Sequence, residues 1–379
     1  MIKDIRLGWV YNSSKEKTIK IFLKTHKGTF VASAPSGKSK GKYETKNLDL
    51  KTIFKNFPKI KKKFLKENEK NIDNIIEKIG IEEIGSNLSI ALSIAGLKAV
   101  SNNEAYKFLN PITRGVPYPL GNVMGEWLNK SIQEFLVAPL KAENIEQAIK
   151  TNKTIWEEVG RELKTRKKNR EGGWVSKYDD IKNLDIVTKI AEQYEAAVGI
   201  DIAASSLYKD GKYFYKKLKK KLDDKEQMEF VIDLIKTYKL FYIEDPFHEE
   251  DFTNFSKLTK KVKCFIVGDD IFATNERRLE LGIENGSSNS IIIKPNQTGT
   301  VSRTIKTVSE ATKAKYTIIV SHRSGETLDT FISDLAVGIE SPLLKCGIYG
   351  KERVAKLKRL VEIWNFFENP IMNKPKVFI

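Results

Sequence analysis

The 379-residue sequence predicts an α+β domain followed by a (β/α)8 barrel of the TIM type. The first observation is an amino-terminal stretch in which β-branched residues alternate with polar ones, and the second is a long later alternation of strand and helix patterns. The third is a series of polar residues, each at the end of a short apolar run. Prolines between Pro111 and Pro119 indicate a linker, so we place the domains at residues 1–115 and 116–379.

The amino-terminal region predicts three strands followed by helices. Residues 1–35 are typical of an antiparallel meander, with a turn at Lys27-Gly28 and a loop containing two glycines at 35–41. Residues 45–110 have helical patterns, and the small, apolar segment SNLSIALSIAGLKAV predicts a buried helix.

The rest of the chain alternates between strands and helices. It begins with the strand QEFLVAPL, and its apolar runs do not alternate, which is typical of a sheet buried on both faces. This βα repeat predicts a parallel sheet. Helices are predicted at residues 142–169 and 181–197, and near 225–239, 251–262, 275–284, 301–313, 325–337 and 351–366.

Three carboxylates and a lysine end four of these runs. The runs AAVGID, LFYIED, CFIVGDD and SIIIKPN lead to Asp201, Glu244, Asp269 and Lys294, at spacings of 43, 25 and 25 residues. One strand, loop and helix take about 25–35 residues in a barrel, whose active site lies at the carboxyl ends of its strands. We therefore expect these side chains to converge. If only one such acid were present, a structural salt bridge would be the simpler interpretation.

Three converging acids would form a Mg2+ site, since hard carboxylate oxygens are the ligands that Mg2+ prefers. Lys294 beside them would act as a base, because burial and nearby cations lower the pKa of a lysine. By strand alternation, we expect Asp270 to point away from Asp269 and to be structural.

The composition is strongly basic, with 66 Lys and Arg against 49 Asp and Glu and a net charge of +17. Such charge favours anionic partners, for example a phosphorylated substrate. The lysines are spread over helix faces and loops without a nucleic-acid recognition motif, so the charge alone does not predict nucleic-acid binding. Cys264 and Cys346 provide no disulfide framework. With no signal segment and no apolar run of about 18 residues, we expect a cytoplasmic protein without a membrane partner.

Eight segments in order along the chain carry a family resemblance. They are PSGKSKGKYE, IQEF, EGG, DIAAS, YIEDPF, VGDD, IKPNQTGT and SHRSGET. Together they resemble enolase, phosphopyruvate hydratase, over most of the chain, and SHRSGET is the most specific of them. The resemblance implies an α+β domain that caps a modified (β/α)8 barrel, a homodimer or larger homo-oligomer, and a small phosphorylated substrate. It also implies a carbon–oxygen lyase of glycolysis and gluconeogenesis that reversibly dehydrates 2-phospho-D-glycerate to phosphoenolpyruvate.

The resemblance also assigns the metal ligands and the catalytic groups. One of two Mg2+ ions would be held by Asp201, Glu244 and Asp269, and Ser39 would ligate the second. Lys294 would remove the proton from C2 of the substrate. Glu171 of EGG would protonate the departing C3 hydroxyl, with Glu134 of QEF as its carboxylate partner, because paired carboxylates raise one pKa and keep a proton available.

Five further residues are implied to bind substrate: Gln133, His322, Arg323, Ser324 and Lys345. The resemblance implies that Lys345 binds the substrate carboxylate. His322, Arg323 and Ser324 are expected to open a helix at Gly325-Glu326, and a helix amino end with a hydroxyl and a guanidinium is suited to phosphate.

The sequence departs from the family pattern at three places. The family's GG-x-H-A loop is shortened to Met124–Ile132 and lacks its histidine, and VYNSSKEKT replaces the family's LDSRGNPT. Arg170 stands where the family has Asp before the general acid, and with Lys38 it adds positive charge.

Two alternatives to 2-phosphoglycerate dehydration stay open. One is an enolase-like lyase that acts on a related phosphorylated acid, which the missing histidine favours. The other is a non-catalytic homologue that binds RNA or other anions through its basic surface. A non-catalytic protein would be expected to lose the base, the acid or a metal ligand, and all of these are present.

Overall fold

The computed structural model describes residues 1–37, 41–125 and 131–376. Its amino-terminal sheet is the predicted antiparallel meander, with strands β1 (Ile2–Tyr11), β2 (Lys17–Thr25) and β3 (Thr29–Ser33). Alternate residues of β2, including Ile19, Ile21 and Leu23, are buried, which gives this sheet one apolar face.

Five helices follow the meander. They are α1 (Leu50–Lys62), α2 (Ile72–Ile79), α3 (Ile81–Ile84), α4 (Ser86–Ser101) and α5 (Ala105–Leu109). Helix α4 is the predicted buried helix: it packs on β2 and β3, and small residues along its length allow the close approach.

The later part of the chain forms a closed barrel. The strands of this part of the chain, including those outside the barrel, are β4 (Gly115–Gly125), β5 (Glu134–Ala138), β6 (Ala197–Asp201), β7 (Tyr208–Lys209), β8 (Lys212–Tyr215), β9 (Lys220–Leu222), β10 (Tyr242–Glu244), β11 (Phe265–Gly268), β12 (Ser290–Ile293), β13 (Thr317–Ser321), β14 (Leu343–Lys345) and β15 (Ile371–Asn373). Eight of them, β4–β6 and β10–β14, close into a barrel because β14 pairs with β4. The predicted fold class is thereby confirmed, while the boundary between residues 115 and 116 stays a prediction.

The barrel sheet is not parallel throughout, so that part of the prediction is wrong. Strand β5 runs antiparallel to both β4 and β6. The connection from β4 to β5 is too short for a crossover helix, so the chain must reverse as in a hairpin. This arrangement is the modified barrel that the family resemblance implied. Strands β7–β9 form a separate small antiparallel sheet after β6.

Nine helices accompany the barrel in the described residues. They are α6 (Ile145–Leu163), α7 (Asp180–Gln193), α8 (Asp224–Tyr238), α9 (Phe252–Lys261), α10 (Glu276–Asn285), α11 (Pro295–Thr298), α12 (Val301–Lys313), α13 (Phe331–Gly338) and α14 (Lys351–Phe366). Over this described part of the chain, no helix combines the length and the apolar character needed to cross a membrane.

Helix α13 begins at Phe331, so the prediction that His322–Ser324 open a helix is wrong. Gly325 instead forms a backbone bridge with Ser36 of the amino-terminal region, in which each N–H donates to the other residue's carbonyl oxygen. This bridge uses backbone groups that a helix beginning at residue 325 would need.

Candidate active site

The carboxyl ends of the barrel strands surround one cavity of about 460 Å3. Nearly all the predicted site residues line it: Gln133, Glu134, Glu171, Asp201, Asp269, Lys294, His322, Arg323, Ser324 and Lys345. Glu244 lies fully buried and touches Lys345, while Ser39 lies outside the described residues. The cavity therefore brings together groups from seven parts of the barrel that are far apart in sequence.

Strand register explains why three of the acids meet. Glu134 is paired with Asp201 across β5 and β6, and Asp201 is paired with Glu244 across β6 and β10. Three adjacent strands therefore carry a carboxylate at the same level.

The Lys345 ammonium group lies among these three acids. Its Nζ is 2.8 Å from Glu134 Oε2, 2.9 Å from Asp201 Oδ2 and 2.8 Å from both oxygens of Glu244. Burial favours neutral lysine, but the surrounding carboxylates outweigh it, and the pKa of Lys345 lies well above its ordinary value. The Lys345 ammonium thus offsets part of the negative charge of these three acids.

Lys294 pairs with Asp269, since its Nζ donates to Asp269 Oδ2. Burial acts to lower the pKa of Lys294, as predicted, but the negative charge of Asp269 outweighs burial and the pKa is raised. Burial alone therefore does not lower this pKa, and the lowering expected beside bound Mg2+ stays a prediction.

The acidic groups fit a hard cation. Carboxylate oxygens of Glu244, Asp245 and Asp269 lie within 4.8 Å of one another, and Asp201 joins Glu244 through their shared contact with Lys345. Asp269 Oδ1 is buried, and among the described residues no donor reaches it. A buried carboxylate oxygen without a donor is suited to ligate Mg2+, which prefers oxygen ligands.

Asp245 was not predicted as part of the site, although it follows Glu244 directly in the motif YIED. It is buried with φ of 42°, and its carboxylate accepts the backbone N–H groups of Asp269 at 3.1 Å and Asp270 at 2.8 Å. Asp245 therefore fixes the turn that carries Asp269. That turn lies beyond the end of β11, so strand alternation does not apply, and Asp270 lines the cavity rather than pointing away.

In a second acidic group of the cavity, Glu134, Glu171 and His322 bring their polar atoms within 4.8 Å of one another. Burial and the charge of Glu171 raise the pKa of Glu134 to about 7. Burial also acts to raise the pKa of Glu171, but a hydrogen bond from Glu134 and the charge of Arg353 outweigh it, so that pKa is lowered. The raised pKa of Glu134 and the lowered pKa of Glu171 therefore favour a proton on Glu134 with a charged Glu171 carboxylate beside it.

Arg323 is held by an acid that the sequence did not identify. Its guanidinium forms hydrogen bonds of 3.0–3.1 Å with both carboxylate oxygens of Glu44, and both side chains are buried. Gln297 Nε2 also donates to Glu44 Oε1 at 3.3 Å. Glu44 thus closes the cavity from the amino-terminal region and orients the predicted phosphate-binding guanidinium.

Comparison with known proteins accounts for this combination of barrel and site. Residues 115–372 match a family model described as "Enolase, C-terminal TIM barrel domain". The chain belongs to the enolase family. The enolase of Natronomonas pharaonis is 36% identical over 96% of this chain and 98% of its own length. The enolase of Methanothermobacter thermautotrophicus is 36% identical over 96% of each chain, and that of Archaeoglobus fulgidus 33% identical over 98% of this chain and 99% of its own.

Membership of this family confirms the predicted resemblance to enolase. It also confirms the predicted enzyme class, a lyase of the phosphopyruvate hydratase type. One departure from the enolase pattern lies at the site, and a second falls mostly outside the described residues. Arg170 lines the cavity beside Glu171, so its positive charge replaces a negative one at the cavity wall. The shortened loop continues directly from β4, and its residues 126–130 lie outside the described residues, as do Lys38 and Ser39.

A buried ion pair supports the enolase motif SHRSGET. Lys356 of α14 is fully buried and lies 2.7 Å from Glu326 Oε2. The Glu326 carboxylate also accepts the backbone N–H groups of Arg323 at 2.9 Å and Thr327 at 3.2 Å. The pair therefore fixes the backbone that presents His322 and Arg323 to the cavity.

We expect Lys356→Met to destabilise the fold by about 3–5 kcal/mol, because it leaves the Glu326 carboxylate buried without its cation. The double variant Lys356→Met/Glu326→Gln should recover much of this loss, since no buried charge is left unpaired. Urea unfolding of both variants tests the expectation. A loss below about 1 kcal/mol for Lys356→Met would contradict it.

Proposed function

We propose that the chain catalyses the Mg2+-dependent, reversible dehydration of 2-phospho-D-glycerate to phosphoenolpyruvate, the step that enolases supply to glycolysis and gluconeogenesis. The observation that carries the proposal is the arrangement of a lysine base and a carboxyl pair holding one proton in a single cavity. Lys294 is paired with Asp269, Glu134 lies close to Glu171, and all four side chains line the same cavity.

Lys294 would take the proton from C2, and the electrons of that bond would move toward the substrate carboxylate. To do so it must first lose its own proton and release Asp269, with which it is paired. Lys294 directly follows the buried strand β12, which fixes the backbone from which its side chain enters the cavity.

The carboxyl pair would complete the elimination. The proton on Glu134 would pass through the neighbouring Glu171 carboxyl to the departing C3 hydroxyl, which leaves as water. A pKa of about 7 for Glu134 keeps that proton present at neutral pH and still available for transfer. The His322 imidazole, whose pKa burial and the charge of Arg353 hold well below its ordinary value, would remain neutral beside the pair.

The remaining polar groups would bind the substrate and the metal. Arg323 would take the phosphate, with Gln133, Ser324 and Lys345 as further contacts at the cavity wall. Mg2+ held by Asp201, Glu244 and Asp269 would supply electrostatic stabilisation of the charge that develops on the substrate carboxylate. A second Mg2+ ligated by Ser39, a homo-oligomeric assembly and a cytoplasmic location stay predictions.

Substrate choice can be tested by phosphorus NMR, with purified protein and Mg2+ incubated separately with 2-phospho-D-glycerate and 3-phospho-D-glycerate. We expect conversion of the first to phosphoenolpyruvate and no reaction of the second. Preferential turnover of another phosphorylated acid would instead establish the related lyase. Steeply salt-dependent RNA binding without any turnover would establish the non-catalytic homologue.

A further inference from the structure

An aromatic stack lies behind the loop that carries Glu171. Trp156 of α6 is stacked between Trp174 and Tyr349, with ring centroids 4.4 Å and 5.2 Å apart and interplanar angles of 25° and 11°. The three rings come from a helix, from the Glu171 loop and from the turn after β14. We call this set, Trp156, Trp174 and Tyr349, the aromatic stack.

One lysine lies over the rings of the aromatic stack. Lys168 Nζ lies 4.1 Å from the centroid of Trp174, 4.6 Å from that of Tyr349 and 5.5 Å from that of Trp156. One ammonium within about 6 Å of three rings is a favourable cation–π arrangement. Lys168 and Trp174 also form a backbone bridge, so the same lysine ties both ends of the Glu171 loop together.

Hydrogen bonds connect the aromatic stack directly to the loop. The Trp156 indole N–H donates to Gly172 O at 2.9 Å, one residue after Glu171, and the Trp174 indole N–H donates to Trp156 O at 2.7 Å. From the other side, Asn169 Oδ1 accepts the backbone N–H groups of Glu171 and Gly173, each at 3.0 Å. The backbone of Glu171 is thus fixed on both sides.

Two glycines make this close packing possible. Gly172 has φ of +88°, and a Cβ there would lie 2.8 Å from Tyr349 O. A Cβ at Gly160 of α6 would lie 2.5 Å from the Trp174 ring. Any side chain at either position would push the aromatic stack away from the loop.

Core packing alone does not explain the arrangement. Tyr349 is 49% exposed, so part of the aromatic stack faces solvent, yet both indole N–H groups point at backbone carbonyls rather than at water. The hydrogen bond from Trp156 to Gly172, the residue next to Glu171, helps to fix where the Glu171 carboxyl lies. Misplacement of a catalytic group by about 1 Å can cost about 100-fold in rate.

We propose that the aromatic stack, together with Lys168 over its rings, positions the Glu171 carboxyl for proton transfer to the substrate's leaving hydroxyl. This proposal rests on the proposed function, in which Lys294 performs proton removal and Glu171 acts only in the elimination that follows. Trp156, Trp174, Tyr349 and Lys168 are positioning residues, since they act through the Glu171 loop.

The two chemical steps can be measured separately. In D2O, incorporation of deuterium at C2 of 2-phospho-D-glycerate needs Lys294, whereas formation of phosphoenolpyruvate also needs Glu171. Trp156→Phe keeps an aromatic ring and removes the N–H donor to Gly172. We expect Trp156→Phe to lower kcat about 10-fold to 100-fold, with KM and the rate of C2 exchange within about two-fold of the unaltered protein.

Further variants sharpen the test. Glu171→Gln should show the same separation, with turnover lost and exchange retained, and adding Trp156→Phe to it should cause no further loss, because both act on one step. Lys168→Met, which keeps an apolar stem, should show a smaller separation in the same direction. Trp9→Phe is the matched control, since Trp9 also has a ring neighbour and a lysine, Tyr11 and Lys17, but does not line the cavity.

Equal losses of exchange and turnover in Trp156→Phe and Lys168→Met would overturn the positioning role, because a general structural defect affects both steps. Unchanged turnover in both variants would overturn it as well. Absence of exchange and turnover in the unaltered protein would instead reject the proposed function itself, so the two failures are distinguishable.

Discussion

Lys294→Ala should lower the turnover of 2-phospho-D-glycerate by about 10^4-fold, the upper end of what a general base contributes. It should also abolish deuterium exchange at C2, because among the described residues only Lys345 brings another amine to the cavity. Lys345, the other lysine of the cavity, has its ammonium engaged by Glu134, Asp201 and Glu244. Steady-state kinetics and NMR in D2O measure the two losses.

The structural cost of this substitution should be small. It frees Asp269 from an ion pair, but the positive charges of Lys345 and Arg323 still act on that carboxylate. Lys313→Ala, at an exposed pair with Glu310 on α12, is the matched control and should keep full turnover. Retention of C2 exchange in folded Lys294→Ala would contradict the assignment of Lys294 as the base.

Asp269→Asn should weaken Mg2+ binding by about 100-fold or more. Loss of a residue that only supports a metal ligand already costs about 10-fold to 100-fold in affinity, and Asp269 is itself a proposed ligand. The reason is that Asp269 supplies a buried Oδ1 that no donor reaches within the part of the chain that the structure describes, and an amide offers neither the charge nor the second carboxylate oxygen. Calorimetric titration with Mg2+ measures the affinity, and turnover at rising Mg2+ should recover in part.

The matched control for this variant is Asp233→Asn on the exposed face of α8. It removes the same charge outside the cavity and should leave Mg2+ affinity unchanged. Unaltered Mg2+ affinity in Asp269→Asn would show that the cation lies elsewhere and would remove Asp269 from the ligand set.

The residues at the strand ends were predictable because their signal is local. A short apolar run followed by an acid or a lysine marks a buried strand and its polar end, and the spacing between runs indicates a barrel. Strand direction is not encoded in that pattern, so the reversal of β5 was missed: it depends on the short connection to β4. The helix expected at Gly325 was wrong for a similar reason, since a bridge to Ser36, far away in sequence, decides the backbone there.

The electrostatics of the site depend on distances that no local pattern contains. The sequence identified Glu134 and Glu171 as a pair, but which of them carries the shared proton depends on burial and on the charge of Arg353. Glu44 and Asp245 were missed as contributors because their roles arise only from contacts with Arg323 and with the turn at Asp269.

Formation of phosphoenolpyruvate, followed by its ultraviolet absorbance, tests the central claim most directly. Purified protein is given 2-phospho-D-glycerate with Mg2+, and excess EDTA is then added. We predict steady turnover that stops on chelation and resumes when Mg2+ is restored. Absence of turnover in folded protein that binds Mg2+, or turnover that continues in EDTA, would contradict the proposal that this cavity performs Mg2+-dependent dehydration.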